Sequence, residues 1–433
     1  MARTFSVDFL ERYLEPLHMT LLRLVKTEAE RLDLPLYIVG GSVRDLMLGR
    51  VIKDFDLVVE GDAKQLAEAI LRKFGGKVIF HSRFGTATWT LDETTFKRLN
   101  VPMFNIADLP PFLDFVSARS EIYAEPGALP TVKKSTIEDD LHRRDFSINA
   151  MAVRLDNKYF GKLFDPFNGQ TDLERGLIRV LHRRSFVDDP TRMLRAVRYA
   201  GRYRFGIEPT TLGLINHEAR DVLPRMSGER LRHEIDLMFE EPSPSTMLQR
   251  LAELDLLMPI HPSLQHANFQ LPFLEILSAE FGEFTIPDIM TFKRTLGWVL
   301  WLMPLSELDI DTLAKRLDFP AMLTKSARSA SSLLKRLPAL TTSRPSQWTF
   351  YLEELPSISV YAVYLMRREP ALREYLASWR NIRSTVTGND LKARGLEPGP
   401  RFAEILRQLR AAWLDGDVKT HEEELRLLEK IDN

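Results

Sequence analysis

The sequence predicts an α+β protein: a small mixed sheet near the N-terminus, followed by an all-helical remainder. Three observations carry that expectation. Leu34 to Gly61, LPLYIVGGSVRDLMLGRVIKDFDLVVEG, reads as strand, glycine turn, short helix and second strand. Lys77 to Leu91 and the segment LDFVSARSE alternate apolar and polar residues at the two-residue period of half-buried strands. Beyond about residue 240 the spacing turns helical and prolines mark the joints. With 433 residues and 44% hydrophobic content the chain can bury a substantial core and should divide into two to four domains.

Composition narrows the function classes. The net charge of −1 gives no global basic field, so any nucleic-acid surface has to be local. The absence of cysteine excludes disulfides, thiolate metal sites and a cysteine nucleophile, and fits a cytoplasmic protein. The first 25 residues lack the apolar core and cleavage site of a signal peptide. No apolar run approaches the ~20 residues of a membrane-spanning helix, so no membrane partner is expected. LGWVLWLMPL, from Leu296, is short and reaches a proline, as a buried core helix would. His261, His266 and His421 are too scattered to suggest a metal cluster.

In chain order, residues 6 to 33 read as an amphipathic helical lead-in, with Leu14, Leu17, Leu21, Leu24 and Val25 near helical spacing. Leu36 to Val39 form a buried strand that stops at Gly40 and Gly41. Two adjacent glycines let the backbone turn tightly and approach a phosphate, and Ser42 with the helix opening after it adds N–H groups facing an anion. Arg44 and Asp45 follow. Asp54 and Asp56, two apart on an extended strand, share a face and can converge on one divalent cation. Hard oxygen ligands of this kind suit magnesium, which is usually held by one or two carboxylates plus substrate phosphates. DAKQLAEAILRKFG predicts a helix closed by Gly75 and Gly76, and Lys77 to Leu91 two strands. Residues 92 to 111 carry prolines and little periodicity and read as a loop. LDFVSARSE supplies Asp114, either a third active-site carboxylate or a surface aspartate.

The pattern GGSVRDLMLG…KDFDLV resembles the head-domain signature of the polymerase-beta-like nucleotidyltransferases, in the branch holding class II tRNA nucleotidyltransferases (CCA-adding enzymes) and bacterial poly(A) polymerases. EDDLHRRDFSINAMAVRL resembles the second motif of that family, with Ser147 in its variable position. The resemblance assigns Arg144 and Asp145 to the triphosphate and ribose, and brings Asn149 into the nucleotide site. An arginine fork suits phosphate, and a carboxylate accepts a hydrogen bond from a 2′-hydroxyl that deoxynucleotides lack. LFDPFNGQTDL, with Asp165, Gly169 and Asp172, resembles the third motif, a hinge between head and neck.

From Arg179 to Arg204 there are eight arginines and no lysine. Asp189-Pro190 makes a good helix start, and Arg195, Arg198 and Arg202 fall in one arc of the helix, with Leu194 and Val197 facing the other way. Arginine alone in such a stripe argues for bidentate recognition of phosphate or base edges. The segment resembles the family's fourth motif, EDxxR followed by LRAxRF. There an aspartate and an arginine contact the Watson–Crick edge of the incoming base, which implies Asp189 and Arg192 here. Asp188 departs from the family's glutamate, and so leaves open what orients Arg192. SGERLRHEI, with Ser227, Glu229, Arg230 and Glu234, resembles the fifth motif, a set of helix caps and ion pairs. GNDLKARGLEPGPRFAEILRQLRAAWLDGDV resembles the family's tail; its Gly395, Gly399 and Pro400 make a tight turn that opens a helix, either an RNA phosphate grip with Arg401 or a plain helix–turn–helix joint.

The resemblance therefore implies a nucleotidyltransferase head over 1–176, a helical neck for base recognition over 177–240, a helical body over 241–335 and a tRNA-binding tail over 336–433. It implies magnesium-dependent addition of CCA to tRNA from CTP and ATP: Asp54 and Asp56 hold the metal, the RNA 3′-hydroxyl attacks the α-phosphate in line, and pyrophosphate leaves. A-only addition and poly(A) synthesis remain open, since ARSEIYAEPGALPTV and DDPTR also resemble stretches of the A-adding branch. A catalytically silent RNA-binding protein on this fold is the different-class alternative, against which stand the magnesium carboxylates that pure binding does not need. No paired His-Asp motif predicts an appended phosphohydrolase.

Overall fold

The computed structural model describes residues 4–52, 56–81, 85–99, 112–267 and 289–432. The chain forms two compact units, Met1–Met226 and Ser227–Asn433. In the first, the lead-in is two helices rather than one. Helix α1 (Val7–Tyr13) is capped by Ser6, whose hydroxyl accepts from the Phe9 N–H, and α2 (Pro16–Arg31) starts at Pro16. Proline at the first helical position has no N–H to satisfy and so begins a new helix there.

Seven strands form a mixed sheet: β1 (Leu36–Val39), β2 (Asp56–Val59), β3 (Lys77–His81), β4 (Thr86–Thr90), β5 (Phe112–Ser117), β8 (Ala152–Arg154) and β9 (Leu163–Phe164), in the order β3-β4-β5-β2-β1-β8-β9. Only the β2–β5 pair is parallel, with Leu57 opposite Phe115. A separate antiparallel pair, β6 (Arg119–Ile122) and β7 (Thr131–Lys134), follows β5. The short helix α3 (Gly41–Met47) leaves the Gly-Gly turn, and α4 (Ala63–Phe74) packs on β3, β4 and β5.

Alternation sorts the two faces. Leu57, Ala87, Trp89, Leu113 and Phe115 are buried, and the Trp89 indole N–H donates to the Gly75 carbonyl at the end of α4. On the opposite face α6 (Ile137–His142) covers part of the sheet, with Ile137 and Leu141 in one cluster with Tyr37, Val39, Val58 and Ala152. The sheet thus has helices on both faces, and the rest of the second face is open. Residues expected as a loop include a helix, α5 (Glu93–Leu99). Asp92 starts it by accepting from the Thr95 N–H at 2.9 Å, a capping signal in a stretch without apolar periodicity. Residues 100–111 of that predicted loop lie outside the described residues.

After the sheet come α7 (Gly169–Arg175), α8 (Ser185–Asp188) and α9 (Thr191–Tyr203), with a two-residue parallel pair, β10 (Leu177–Ile178) and β11 (Gly206–Ile207). Asp165 accepts from the Gly169 and Gln170 N–H groups at the start of α7. A Cβ on Gly169 would lie 2.2 Å from the Ser147 carbonyl, so glycine here allows α7 to close on the second motif.

The second unit is helical throughout its described residues. Prolines at its joints do what the sequence implied: helices begin with Pro244, Pro345, Pro370 and Pro400. Ser227 caps Gly228–Glu240 by accepting from the Arg230 N–H. The expected core helix is Ile289–Leu302, where Trp298, Val299, Trp301 and Leu302 are fully buried and both tryptophans pack on Phe239. No helix among the described residues is long and apolar enough to cross a membrane. His261 caps the turn Pro262–His266, and the His421 ring meets the Thr385 hydroxyl at 2.7 Å.

Candidate functional site

The open part of the sheet's second face borders a cleft of about 560 Å³, entirely within the first unit. Even-numbered residues of the central strands, Asp56, Val58, Thr86 and Val116, form its floor. The β6–β7 pair contributes Arg119 and Glu121, the second motif Arg143, Arg144, Asp145 and Asn149, and α9 Thr191, Arg192, Arg195 and Tyr199. Gly41, Arg44, Tyr123 and Asp189 complete it.

The Gly-Gly turn is held against the second motif. Gly40 has φ of +67°, a left-handed conformation that favours glycine, and a Cβ there would fall 2.3 Å from Arg144 Nη1. Arg144 therefore occupies the space a side chain would need. Arg44, buried behind the turn, forms a two-pronged pair with Asp45 at 3.0 Å on each prong and also donates to Asn149 Oδ1. Burial by itself would lower the Arg44 pKa, but Asp45 outweighs it and the net shift is upward. Asp45 does not line the cleft; it fixes Arg44.

The second motif is organised by a residue that sequence reasoning passed over. Asp140 is fully buried in α6 and binds two cleft arginines, Arg143 at 2.8 and 3.0 Å and Arg144 at 3.1 Å. Burial pushes its pKa up, and the Arg144 and Arg143 charges more than reverse this, so its carboxyl stays below the usual range. The i, i+3, i+4 spacing of Asp140, Arg143 and Arg144 was the available signal. Arg143 also reaches Glu121 at 3.0 Å, across 22 residues of chain, a contact without local signal.

Arg144 and Asp145 are not paired with each other. Asp145 accepts from Arg195 Nε at 2.9 Å and Nη2 at 2.6 Å, from Asn149 Nδ2 at 3.0 Å and from the Phe146 N–H. Burial opposes its charge, but Arg195 and then the Asn149 hydrogen bond hold its pKa down at about 2. Asn149 thus joins the Arg44–Asp45 pair to the Asp145–Arg195 pair.

In the fourth motif, Asp189 Oδ1 accepts from the Thr191 N–H at 3.1 Å and its hydroxyl at 2.6 Å, just ahead of α9, whose N-cap is Pro190 rather than the aspartate. Arg192 donates to the Ser185 hydroxyl at 2.7 Å and to the Arg143 carbonyl at 2.6 Å. Asp188 instead faces Arg184 at 3.5 Å and His182 at 4.0 Å. Of the arginine arc, Arg195 reaches the cleft, whereas Arg198 is buried outside its lining with its guanidinium 4.8 Å from the Tyr199 ring. Tyr199 was not anticipated as a wall of the site; one turn after Arg195, it lies 5.6 Å from that guanidinium too.

For a divalent cation, Asp54 lies outside the described residues. Asp56 is exposed at the cleft-facing start of β2. The β2–β5 register, continued by one residue from Leu57 and Phe115, sets Asp114 beside it on the same face. Asp114 accepts from the Thr88 hydroxyl at 2.5 Å. Hard oxygens on neighbouring strands, next to clustered arginines, fit a cation that takes its remaining ligands from phosphate and water. No group of three or more potential ligands stands together among the described residues. Gly395, Gly399 and Arg401 belong to the second unit, where Gly395 has φ of +89° and Gly399 precedes the helix Pro400–Asp415.

Comparison with known proteins agrees with this chemistry. Residues 36–179 match the family described as the poly A polymerase head domain, and 204–268 one described as a probable RNA and SrmB-binding site of polymerase A. The chain is 33% identical to an A-adding tRNA nucleotidyltransferase of Halalkalibacterium halodurans, over 99% of its own length and 96% of that protein. It is also 33% identical to an A-adding tRNA nucleotidyltransferase of Geobacter sulfurreducens, of which it spans about half, 48%. Among solved structures it is similar to the Thermotoga maritima CCA-adding enzyme complexed with tRNA, at a TM-score of 0.75 and 29% identity, covering 100% of this chain and 99% of that one. A cleft of paired arginines and carboxylates on a mixed sheet, with a near full-length relative at one-third identity, places the chain in the polymerase-beta-like nucleotidyltransferase superfamily, as a member of the class II family of CCA-adding enzymes and bacterial poly(A) polymerases.

Proposed function

We propose that this nucleotidyltransferase completes the 3′ end of tRNA by adding the terminal adenosine from ATP, with release of pyrophosphate. The observation that carries a transferase reading with base selection is that Asp189 and Arg192 line the same cleft as Asp56 and the arginines Arg143 and Arg144. Phosphate, metal and base groups thereby fall within one nucleotide's reach. Near full-length similarity to an A-adding enzyme favours adenosine.

Asp54 and Asp56, with Asp114 beside Asp56, are the residues that would hold magnesium, which when bound polarises the α-phosphate and acidifies the RNA 3′-hydroxyl. Arg143 and Arg144, held by Asp140, present guanidinium groups to the triphosphate. Asp145 and Asn149 receive the ribose. Asp189 accepts from the adenine amino group while Arg192 donates to the neighbouring ring nitrogen. Residues 177–240 act as the neck, 241–335 as the body and 336–433 as the tail, whose Gly395, Gly399 and Arg401 meet the tRNA.

Full CCA addition is the second reading. Its support is that cytosine offers the same amino donor beside a ring-nitrogen acceptor, and that the similar Thermotoga maritima enzyme is CCA-adding. The experiment is an extension assay with purified protein and magnesium, on tRNA lacking only the terminal A, tRNA lacking all of CCA, and an unrelated RNA, with CTP and ATP singly and together. Extension of the first substrate by ATP alone, with no CTP incorporation on the second, is expected. CTP incorporation followed by A would establish CCA addition, and long A tails on the unrelated RNA would establish poly(A) synthesis.

A further inference from the structure

We infer that Ser185 is a specificity-determining positioning residue, which with the Arg143 carbonyl aims the Arg192 guanidinium at the incoming base, a task that Asp188 does not perform. The inference rests on the reading of Arg192 as a base-contacting group and deepens it.

The two anchors are short and well fixed. Arg192 Nη1 donates to Ser185 Oγ at 2.7 Å and Nη2 to the Arg143 oxygen at 2.6 Å. Ser185 is fully buried at the first position of α8. Arg143 closes α6, with its N–H bonded to the Asp139 carbonyl and its own guanidinium clamped by Asp140 and Glu121. The carbonyl that receives Arg192 therefore belongs to a residue pinned at both its backbone and its side chain.

The chemistry of the anchors matters as much as their rigidity. A guanidinium has five N–H donors in one plane. Two bonds on two different nitrogens fix both the direction and the roll of that plane, and leave other donors for a ligand. Both acceptors are neutral, and among the described residues no carboxylate at hydrogen-bonding distance cancels the positive charge of Arg192. Asp188 is engaged with Arg184 and His182 instead. A hydroxyl one residue into α8 and a carbonyl from the second motif thus do the orienting in a chain that has aspartate at 188.

The test is a four-nucleotide competition on tRNA lacking the terminal A, using the full-length chain with magnesium. Wild type is compared with Ser185→Ala, Asp188→Asn and Arg192→Ala, and Tm and tRNA affinity are measured alongside. Ser185→Ala removes one oxygen and adds no bulk. It is expected to reduce the preference for ATP over UTP and GTP about tenfold, the scale of one charge-assisted hydrogen bond, with tRNA affinity unchanged. Asp188→Asn is expected to keep that preference within about twofold. The inference is overturned if Ser185→Ala keeps the wild-type ratios while Arg192→Ala loses them, or if Asp188→Asn loses them and Ser185→Ala does not. Arg192→Ala with wild-type ratios would overturn the base-contact reading itself and this inference with it. A Ser185→Ala protein that loses stability and retains the ratios would mark the hydroxyl as structural.

Discussion

The two units of this chain differ in how much charge they bury beside their apolar cores. In the first, Arg44, Asp140, Asp145, Arg192 and Arg198 are all at least nine-tenths buried; in the second, the centre is Trp298, Trp301, Phe239 and their aliphatic neighbours. An ionised group taken out of water costs several kcal/mol unless its partners are well placed. An apolar side chain gains about 25 cal/mol for each Å² covered. The second unit is therefore built in the way that favours stability most directly. The first accepts desolvation at positions bordering a cleft, and compensates with a connected set of pairs: Asp45–Arg44–Asn149–Asp145–Arg195 on one side and Glu121–Arg143–Asp140–Arg144 on the other. What it obtains is a set of guanidinium groups already aimed at a polyanion, which need no reorganisation when one binds.

The largest effect should come from the carboxylates on the open sheet face. Metal assistance supplies several kcal/mol to phosphoryl transfer, and about 1.4 kcal/mol is tenfold in rate. Asp56→Ala should therefore lower nucleotide incorporation by at least about a thousandfold. Filter-binding affinity for tRNA should survive, because RNA binding is dominated by contacts to its phosphate backbone. Incorporation within about tenfold of wild type in magnesium would remove Asp56 from the metal site.

One step down in magnitude, the contrast between the interiors can be broken from either side. Trp301→Ala empties a large volume in an apolar core and should cost about 3–5 kcal/mol of stability, with the ratios among the four nucleotides unchanged in protein that remains folded. Asp140→Ala strands two arginines, which costs about 3 kcal/mol where the pair is buried. The partial exposure of both arginines and the surviving Glu121 contact of Arg143 place it at or below that figure. Unlike the tryptophan change, it should also raise the KM for the nucleotide, since Arg143 and Arg144 lose their common anchor. Equal effects of the two substitutions on KM would mean that the polar network serves packing alone.

The same contrast explains what could be read from sequence. Apolar periodicity and proline joints made the helices of the second unit and the first two strands legible, and local spacing exposed Asp56, Gly40 and Gly41, and the basic run around Arg195 as parts of one cleft or its border. Partnerships across long stretches of chain left no such trace. Nothing near Asp145 in sequence names Arg195, 50 residues on, as its partner, and nothing near Arg143 names Glu121. Arg198 looked equivalent to Arg195, yet the packing of α9 turns one to the cleft and buries the other. The helix Glu93–Leu99 was missed because it is held by a cap and lacks an apolar stripe.

Acid should dissolve part of the first unit's network selectively. The Asp145 carboxyl is held at about 2 against an ordinary 3.8, chiefly by Arg195 once burial is overcome. A depressed carboxylate stabilises the folded state above its unfolded pKa and loses that contribution as pH falls toward its folded one. The affected window is therefore about pH 4 to 2, and the amount on the order of 2 kcal/mol. Asp145→Asn should be less stable than wild type at pH 6, and the gap should narrow on acidification through that window. Denaturant midpoints that stay parallel from pH 6 to pH 2 would show that Asp145 contributes no proton-linked stability.

The smallest effect concerns the sugar, and it asks whether Asp145 is only a structural partner of Arg195. Both of its oxygens already accept hydrogen bonds, Oδ1 from Asn149 and the Phe146 N–H and Oδ2 from both prongs of Arg195. A carboxylate has about four lone-pair sites, so these contacts fill much of its capacity. A ribose 2′-hydroxyl would share an oxygen with Arg195 or displace Asn149. A shared acceptor makes a weaker bond, which puts the discrimination near the net worth of one hydrogen bond, about 1–1.5 kcal/mol, or roughly tenfold. If Asp145 reads the ribose, Asp145→Ala should narrow the preference for ATP over dATP by that factor, mainly through the KM for ATP. If it serves only to hold Arg195, both nucleotides should suffer alike, because a displaced Arg195 does not distinguish a 2′-hydroxyl from a hydrogen. Comparing kcat/KM for the two nucleotides in Asp145→Ala and in Arg195→Ala separates the cases. An unchanged ATP:dATP ratio in the aspartate variant, with measurable activity, would return Asp145 to the structural network that the rest of the first unit's interior already represents.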